Sequence, residues 1–372
     1  MFYLFYIANL FSLFSKKKNK TVIIFLIFLL MLLSFFRFGI GTDYFNYGYL
    51  YYANSDSLSY ELFFNEYAQQ EVGFRVIIAL FHKFNLGYQL FLSIIAVVTL
   101  IYLYKYVSKY SVNPILSILI YFSFFFLTWG LSGIRQGIVL TLGVYYMVNY
   151  LKDKKIWKFI LIIGLLSLIH KSVIFLLIYI VVFKFLKLNL IRSIMYISFG
   201  IIFYILPINI DVTPLLWLDD NISVYQNATD NYFSLIIRIV LVLPLLLFYN
   251  KYKHDKFILS LSHLYIIGLL FYLFLNFMGE TLSARVAIYG RFLEILLIPY
   301  LLTIIRNKYL LVISYLILLC ILVFSFQKEG STFRNQTQLN YEGSLVPYIS
   351  IFDSNRYEYF DSWNYYMYES TK

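Results

Sequence analysis

Apolar runs long enough to cross a lipid bilayer recur along this chain of 372 residues and constrain its fold more than any other feature. A transmembrane helix needs about 20 consecutive apolar residues, because the hydrocarbon core is about 30 Å thick. We therefore predict an all-α, polytopic integral membrane protein with about 11 transmembrane helices, or about 12 if residues 2–14 also cross. The runs are residues 22–36, 88–104, 114–130, 136–151, 157–169, 173–186, 190–206, 235–249, 257–278, 292–305 and 309–326.

The composition excludes an ordinary soluble domain. Hydrophobic residues make up 61% of the chain and charged residues 13%, whereas soluble domains average about 45–50% and about 25%. The net charge of +11 does not indicate nucleic-acid binding, because Lys and Arg fall mostly in short clusters between apolar runs, where they set topology. The single Cys320 and four scattered His residues lack metal-ligand spacing. We therefore expect no nucleic-acid partner, no metal and no cofactor.

The basic clusters predict the orientation of the helices. Lys16, Lys17, Lys18 and Lys20 precede the first firm run and should be cytoplasmic, because positively charged connections stay inside. Alternation then places every later Lys-rich connection inside as well. Residues 1–326 form a single transmembrane domain in this interpretation, and an extracytoplasmic tail covers 327–372. The outer loops are residues 37–87, 207–234 and 279–291.

The run at 157–169 leaves a second topology open, because it is short for a transmembrane helix. If residues 157–186 crossed only once, everything after them would invert and later basic clusters would face outward. We favour two short spans because that arrangement keeps those clusters inside.

Polar and charged residues gather on the predicted outer side, where they need an explanation. Charges at the ends of spans are costly and are usually functional or paired. Arg135 follows a glycine and opens an apolar helix, so it favours an anion or carboxylate partner. Some of these residues have explanations that involve no substrate. Arg37 could anchor its helix at the membrane interface, and Glu71 could pair with Arg75 across one helical turn. His170 could be an ordinary interface residue. The set is Arg37, Asp43, Tyr44, Glu71, Arg75, Arg135, Gln136, His170, Lys171, Arg285 and Arg291.

Several arginines near one membrane surface suit a lipid-linked diphosphate. A guanidinium group binds phosphate through a fixed, bidentate fork, which lysine lacks. A nearby carboxylate or histidine could take a proton from an attacking hydroxyl. These features favour transfer chemistry at the membrane surface.

The ordered motifs resemble those of the EpsG family of Wzy-like polysaccharide polymerases. They span about residues 30–350, and residues 207–234 contain no family motif. The matching segments are Arg37 with Gly41-Thr42-Asp43-Tyr44 and Tyr47, Glu71-Val72-Gly73-Phe74, Gly133-Ile134-Arg135-Gln136, Ile169-His170-Lys171-Ser172, Tyr289-Gly290-Arg291-Phe292 and Val346-Pro347-Tyr348.

The resemblance implies a metal-independent membrane glycosyltransferase of GT-C-like architecture in the bacterial cytoplasmic membrane, with its active site facing outward. It would join oligosaccharide repeat units carried on undecaprenyl diphosphate, and the lipid diphosphate would leave. Membrane lipid, a chain-length regulator and a flippase of the same pathway are the other expected partners.

The resemblance also suggests roles for the candidate residues. Arg135 and Arg291 would stabilise the departing diphosphate, with Arg37 and Arg285 next, since negative charge develops there. His170, Asp43 or Glu71 would act as the base, and the residues alone do not separate these three. Further substrate contacts would come from Arg75, Tyr44, Gln136 and Lys171.

Other classes of membrane protein share part of this pattern. A flippase for lipid-linked oligosaccharides would need polar groups through the bilayer midplane, whereas this arginine set is one-sided. A secondary transporter would usually show repeated, broken helices, and the sequence shows no such repeat. A ligase of the O-antigen type uses similar donors but usually has a larger outer loop than 207–234. A purely structural protein would have no reason to gather these groups on one side.

The predicted topology can be tested at the carboxyl terminus. A carboxy-terminal alkaline phosphatase fusion should be active, because an odd number of spans after the cytoplasmic amino-terminal cluster places the tail outside. An inactive phosphatase, together with an active cytoplasmic reporter at the same position, would place the tail inside.

Overall fold

The computed structural model describes residues 1–13, 18–53, 70–206, 232–336, 348–352 and 370. In this part of the chain the regular structure is helical, with one isolated antiparallel bridge between Arg37 and Ser350. Each of the predicted apolar runs lies largely in a helix. The all-α prediction is therefore confirmed for the described residues.

The helices are numbered in chain order. They are α1 Phe2–Ser12, α2 Lys20–Phe35, α3 Tyr44–Ala53, α4 Val72–Lys83, α5 Tyr88–Tyr110, α6 Pro114–Tyr121, α7 Ile134–Asp153, α8 Ile156–Ser167, α9 Phe175–Phe185, α10 Leu190–Ile205, α11 Tyr232–Leu247, α12 Lys256–Phe274, α13 Glu280–Arg291, α14 Glu294–Ile304 and α15 Lys308–Gln336. A π-helical stretch, Phe122–Ser132, continues α6, and a single helical turn, Tyr249–Tyr252, follows α11 without a number of its own.

Four of these helical segments are long and apolar enough to cross a membrane unaided: Tyr88–Tyr110, Pro114–Ser132, Lys256–Phe274 and Lys308–Ser331. A fifth candidate is the bent pair α13 and α14, whose axes differ by 47°. Five shorter apolar helices accompany them in the described part of the chain. This pattern is consistent with a membrane protein, and the number of about 11 spans stays a prediction.

Three segments predicted as connections or as the tail contain helix. The predicted outer loop 37–87 contains α3 and α4. Residues 279–291 were expected to form a loop, but α13 occupies nearly all of them. The segment has a low hydropathy and was therefore predicted as a loop. It contains Glu, Ala, Arg and Leu, which are good helix formers, so it can form a helix although it is polar. Helix α15 likewise continues to Gln336, beyond the predicted start of the tail at 327.

The chain divides into two compact units. Unit 1 comprises Met1–Tyr145, Leu165–Lys171 and Arg306–Lys372. Unit 2 comprises Tyr146–Gly164 and Ser172–Ile305. Each unit combines segments that are distant in sequence. The predicted transmembrane domain 1–326 and tail 327–372 concern the membrane topology, which these contacts do not define, so they stay predictions.

In unit 1, α2 packs mainly on α5, and the π-helical stretch packs on α15. Phe122 stacks on Phe326 with ring centroids 5.0 Å apart and an interplanar angle of 21°. The π-helical stretch ends at Gly133, whose amide donates to the Thr128 carbonyl at 2.8 Å. The chain then turns into α7, and this turn places Arg135 at the start of an apolar helix.

Gly137 allows the first turns of α7 to pack closely against the backbone of the π-helical stretch. A Cβ atom at this position would lie 1.8 Å from the Trp129 carbonyl oxygen, which is far inside van der Waals contact. Glycine is therefore required here by backbone approach.

In unit 2, α12 is the central helix and contacts α9, α10, α11, α13 and α14. It crosses α13 at two glycines, since a Cβ on Gly268 would come within 2.8 Å of the Gly290 Cα. The buried hydroxyl of Tyr179 donates to the Val286 carbonyl at 3.1 Å and accepts from the Gly290 amide at 3.2 Å. This crossing fixes the end of α13, where Arg291 lies.

A glycine replacement tests the packing at Gly137. Gly137→Ala should lower the free energy of unfolding by about 1–3 kcal/mol, because overpacking forces the backbone to shift. Thermal unfolding of the purified protein in detergent would measure the loss. Gly164→Ala is the matched control, since a Cβ there meets nothing within 4 Å. Equal stability of both variants would contradict the packing argument.

Candidate functional site

A single carboxylate, that of Glu71, joins three parts of unit 1. Its Oε2 accepts a hydrogen bond from an Arg135 amino group at 2.7 Å. Its Oε1 lies 3.0 Å from His170 Nδ1 and accepts from the backbone amide of Lys171 at 3.0 Å. The structure therefore brings together four of the predicted site residues, which are Glu71, Arg135, His170 and Lys171.

Gly73 explains why Glu71 can reach residues 170 and 171. The Gly73 amide donates to the Leu168 carbonyl at 2.8 Å. A Cβ on Gly73 would come within 2.6 Å of the same carbonyl oxygen. Only glycine allows the first turn of α4 to approach this closely, and Glu71 immediately precedes that turn.

Aromatic rings flank the Arg135 guanidinium. Its central carbon lies 5.8 Å from the Tyr47 ring centroid and 5.4 Å from that of Phe74. Both distances suit cation–π attraction. The side chain is 22% exposed, so the guanidinium is fixed by Glu71 and the rings yet still accessible.

The surroundings of Glu71 keep it ionised. Burial acts to raise its pKa, but hydrogen bonds from His170 and the Lys171 amide, with the charge of Arg135, outweigh burial and lower the pKa to about 2. An ionised carboxylate only accepts hydrogen bonds, so His170 Nδ1 must donate to it. In neutral His170 the other nitrogen, Nε2, is then the acceptor.

The segment before α3 is held against the end of the π-helical stretch. Gly39 and Gly41 have φ angles of 62° and 112°, which favour glycine. The Thr42 amide donates to the Ser132 hydroxyl at 2.8 Å. Asp43 follows directly and interacts electrostatically with Arg135. Asp43 thus belongs to the surroundings of the Glu71 cluster.

Arg37 has a different environment from Arg135. It is 2% exposed, and one amino group donates to the carbonyls of Ile40, at 3.0 Å, and Leu131. Its guanidinium carbon lies 5.7 Å from the Tyr44 ring centroid. The backbone at Arg37 also pairs with the segment around Ser350, because the Phe38 amide donates to the Ile349 carbonyl at 2.9 Å. The Arg37 guanidinium therefore links the carbonyl group of Ile40 to that of Leu131.

Several other predicted site residues are buried in unit 1. Tyr44, Arg75 and Gln136 are 2%, 8% and 4% exposed. The Tyr44 hydroxyl donates to the Gln89 side chain at 3.1 Å. Of the late motif Val346-Pro347-Tyr348, only Tyr348 lies within the described residues, and its hydroxyl donates to the Leu33 carbonyl at 3.0 Å.

The remaining predicted arginines lie in unit 2. Arg291 ends α13, and its Nε donates to Glu294 Oε1 at 3.3 Å. Glu294 is 1% exposed and also accepts from the Tyr265 hydroxyl at 3.2 Å. Arg285 lies in α13 and is partly exposed. Arg291 is therefore positioned by a buried carboxylate of its own unit.

Sequence reasoning missed three charged residues of unit 2: Arg238, Glu280 and Glu294. Arg238 and Glu294 lie within or at the edge of apolar runs, and each run was interpreted as a whole. A charge inside such a run is itself a signal of function or pairing, so Arg238 could have been found. Glu280 lies in the segment that was interpreted as a loop.

Among the described residues, no three His, Cys, Asp or Glu side chains come together as a possible metal site. The Glu71 cluster provides one carboxylate and one imidazole, a combination suited to proton transfer. Metal independence of the activity stays a prediction.

The chain is similar to a known protein family over nearly all of its length. The model of the EpsG family matches residues 20–350, which is nearly the whole chain. No curated protein and no solved structure matches the chain significantly.

The ionised Glu71 predicts an acid-sensitive stability. Its folded pKa of about 2 lies below the ordinary value of 4.5, so its stabilising contribution is complete above about pH 4.5 and is lost as pH falls toward 2. One pKa unit corresponds to about 1.4 kcal/mol, so the loss is on the order of 3 kcal/mol. Unfolding of the purified protein between pH 5 and pH 2 should be less pH-dependent in Glu71→Gln. An identical pH dependence in both proteins would contradict this assignment.

Proposed function

The chain belongs to the EpsG family, a family of Wzy-like polysaccharide polymerases, and from this premise we propose that it joins oligosaccharide repeat units into a polysaccharide. The donor in this proposal is a growing chain on undecaprenyl diphosphate, and the acceptor is a second lipid-linked repeat unit. The reaction takes place at the outer face of the bacterial cytoplasmic membrane. The apolar helices and the basic amino-terminal cluster support that location.

The observation that carries the proposal is the Glu71 cluster, in which one carboxylate holds both a histidine and an arginine. A histidine oriented by an ionised carboxylate can accept a proton and remain stabilised as the imidazolium ion. An arginine close by can stabilise negative charge that develops in the transition state. Glycosyl transfer from a diphosphate needs both functions.

His170 is the proposed base. Both carboxylate oxygens of Glu71 are occupied by hydrogen bonds, and its lowered pKa disfavours protonation. Glu71 therefore orients His170 through Nδ1. The Nε2 atom of His170 then accepts the proton of the attacking sugar hydroxyl.

Bond formation and bond cleavage follow from this proton transfer. The acceptor oxygen forms a bond to the anomeric carbon of the donor sugar. The bond between that carbon and the diphosphate oxygen breaks, and its electron pair leaves with undecaprenyl diphosphate. Arg135 stabilises the leaving charge through guanidinium donors that Glu71 does not use. Membrane lipid surrounds the reaction, and a flippase and a chain-length regulator act before and with this step.

Complementation of a deletion strain tests the function. Deletion should leave single repeat units, and the wild type should restore a ladder of long chains on gels of surface polysaccharide. His170→Gln should reduce polymerisation by about 10²–10⁴-fold because it removes the base. Arg135→Lys should lose about 10²-fold or more because it loses the bidentate fork.

The controls exclude a loss of folding. His254→Gln and Arg192→Ala change exposed residues of the same types and should restore the ladder fully. Membrane levels of each variant are compared by immunoblot. A normal chain-length distribution in His170→Gln or Arg135→Lys would refute the assigned roles. Accumulation of long chains on the lipid carrier in the deletion strain would favour a ligase, and accumulation of repeats on the inner leaflet would favour a flippase.

A further inference from the structure

Glu329 is a carboxylate in the last part of α15, beyond residue 326 and outside the motifs that the sequence singled out. Its side chain is partly exposed, and its Oε2 accepts a hydrogen bond from the Thr128 hydroxyl. None of the ion pairs in the part of the chain that the structure describes includes Glu329. Its contact is therefore a specific hydrogen bond to the π-helical stretch rather than neutralisation of a nearby cation.

Thr128 also closes the end of the π-helical stretch. Its carbonyl accepts from the Gly133 amide at 2.8 Å. The Gly133 carbonyl in turn accepts from the Gly137 amide at 2.8 Å, which forms the first turn of α7. Arg135 lies within this turn. Three consecutive hydrogen bonds thus join Glu329 to the turn that carries Arg135.

The hydrogen bond from Gly133 to Thr128 spans five residues, whereas an α-helix would use the amide of Ser132. π-helical geometry is rare in proteins and is often found at functional sites. At about 3.6 residues per turn, a shift of one residue to the α register would rotate the start of α7 by about 100° about its axis. Such a rotation would take Arg135 away from Glu71. The position of Arg135 therefore depends on the groups that hold this end in the π register.

Two charged side chains from other segments of unit 1 hold the end of the π-helical stretch. Arg37 donates to the Leu131 carbonyl, and Glu329 accepts from the Thr128 hydroxyl. Hydrogen bonds to an ionised side chain are roughly twice as strong as those between neutral groups. Leu131 is 1% exposed, whereas Thr128 is partly exposed. Glu329 thus fixes the part of this end that the surrounding core encloses less tightly.

We infer that Glu329 is a positioning residue for Arg135, acting through the Thr128 hydroxyl and the end of the π-helical stretch. The effect of Glu329 on the reaction rests on the proposed function, because that function gives Arg135 its role. The coupling of Glu329 to the first turn of α7 does not depend on it. The last part of α15 therefore belongs to the catalytic unit and is not a passive connection to the carboxyl terminus.

Other roles of Glu329 predict different behaviour. If the carboxylate bound the substrate directly, loss of the Thr128 hydroxyl would leave the rate nearly unchanged. If the bond only stabilised the fold, the unfolding temperature would fall while kcat per folded molecule stayed the same. A positioning role requires that loss of either partner lowers kcat per folded molecule. The two losses should not add, because both remove the same bond.

The test uses the full-length protein in proteoliposomes with lipid-linked repeat units extracted from the deletion strain. The values of kcat and KM are measured per folded molecule for Glu329→Ala, Thr128→Val and the double variant. Glu329→Gln and Thr128→Ser each keep the hydrogen bond and are the conservative variants. Asp153→Ala and Thr303→Val are the matched controls, because both residues are exposed and lie in unit 2.

We expect Glu329→Ala and Thr128→Val each to lower kcat by about 10-fold to 100-fold with little change in KM, since a misplacement of about 1 Å can cost about 10²-fold. The double variant should be no slower than the slower single variant. Glu329→Gln and Thr128→Ser should recover most of the rate. Both control variants should match the wild type.

Hydrogen exchange provides a second measurement that needs no polymerisation. The backbone amides of residues 128–140 should exchange faster in Glu329→Ala and Thr128→Val, because the end of the π-helical stretch opens more often. The conservative variants should retain the protection of the wild type. If the wild type makes no chains from the extracted units, the proposed function fails, and exchange alone then decides whether Glu329 holds this turn.

Three outcomes would overturn the inference. The first is a full kcat in Glu329→Ala. The second is a loss of rate in Glu329→Ala that Thr128→Val does not share, which would indicate direct contact with the substrate. The third is unchanged exchange of residues 128–140 in both variants.

Discussion

The hydrogen bonds to the Glu71 carboxylate hold the proposed site in unit 1 together. The carboxylate meets Arg135 through one oxygen, and His170 with the Lys171 amide through the other. These groups come from segments far apart in the sequence. Because the carboxylate is ionised and only partly exposed, its partners lose a strong, charge-assisted bond if it is removed. The same bonds that hold the segments together also set the tautomer of His170, so stability and the proposed chemistry share one group.

Close backbone approach is the second requirement, and glycine meets it in both units. Gly73 lets α4 approach the Leu168 carbonyl, and Gly137 lets α7 return on the Trp129 carbonyl. In unit 2, Gly268 and Gly290 allow α12 and α13 to cross at close range. At each point a Cβ would meet backbone atoms that cannot move aside easily. The charged residues Glu71, Arg135 and Arg291 all lie within two residues of one of these glycines.

The arginines predicted as one functional group have distinct environments. Arg135 is partly exposed beside aromatic rings, whereas Arg37 is enclosed and donates to backbone carbonyls. Arg291 is held by Glu294 in unit 2. The sequence does not distinguish these arginines, because each lies near the end of an apolar run. Their partners come from other segments, and those partners decide whether a guanidinium group is held by backbone carbonyls or faces a possible ligand.

The sequence by itself predicted the helical class and the positions of the apolar helices, and it named the candidate site residues. Long apolar runs leave few alternatives to helices, because backbone polar groups in lipid must be satisfied within the segment. The ordered motifs also indicated the family that the comparison confirmed. Only the tertiary structure decided that Glu71 pairs with His170 and Arg135, and that Arg238 is buried against Tyr272. Contacts between distant segments depend on helix packing, and no local pattern of hydrophobicity or charge specifies them.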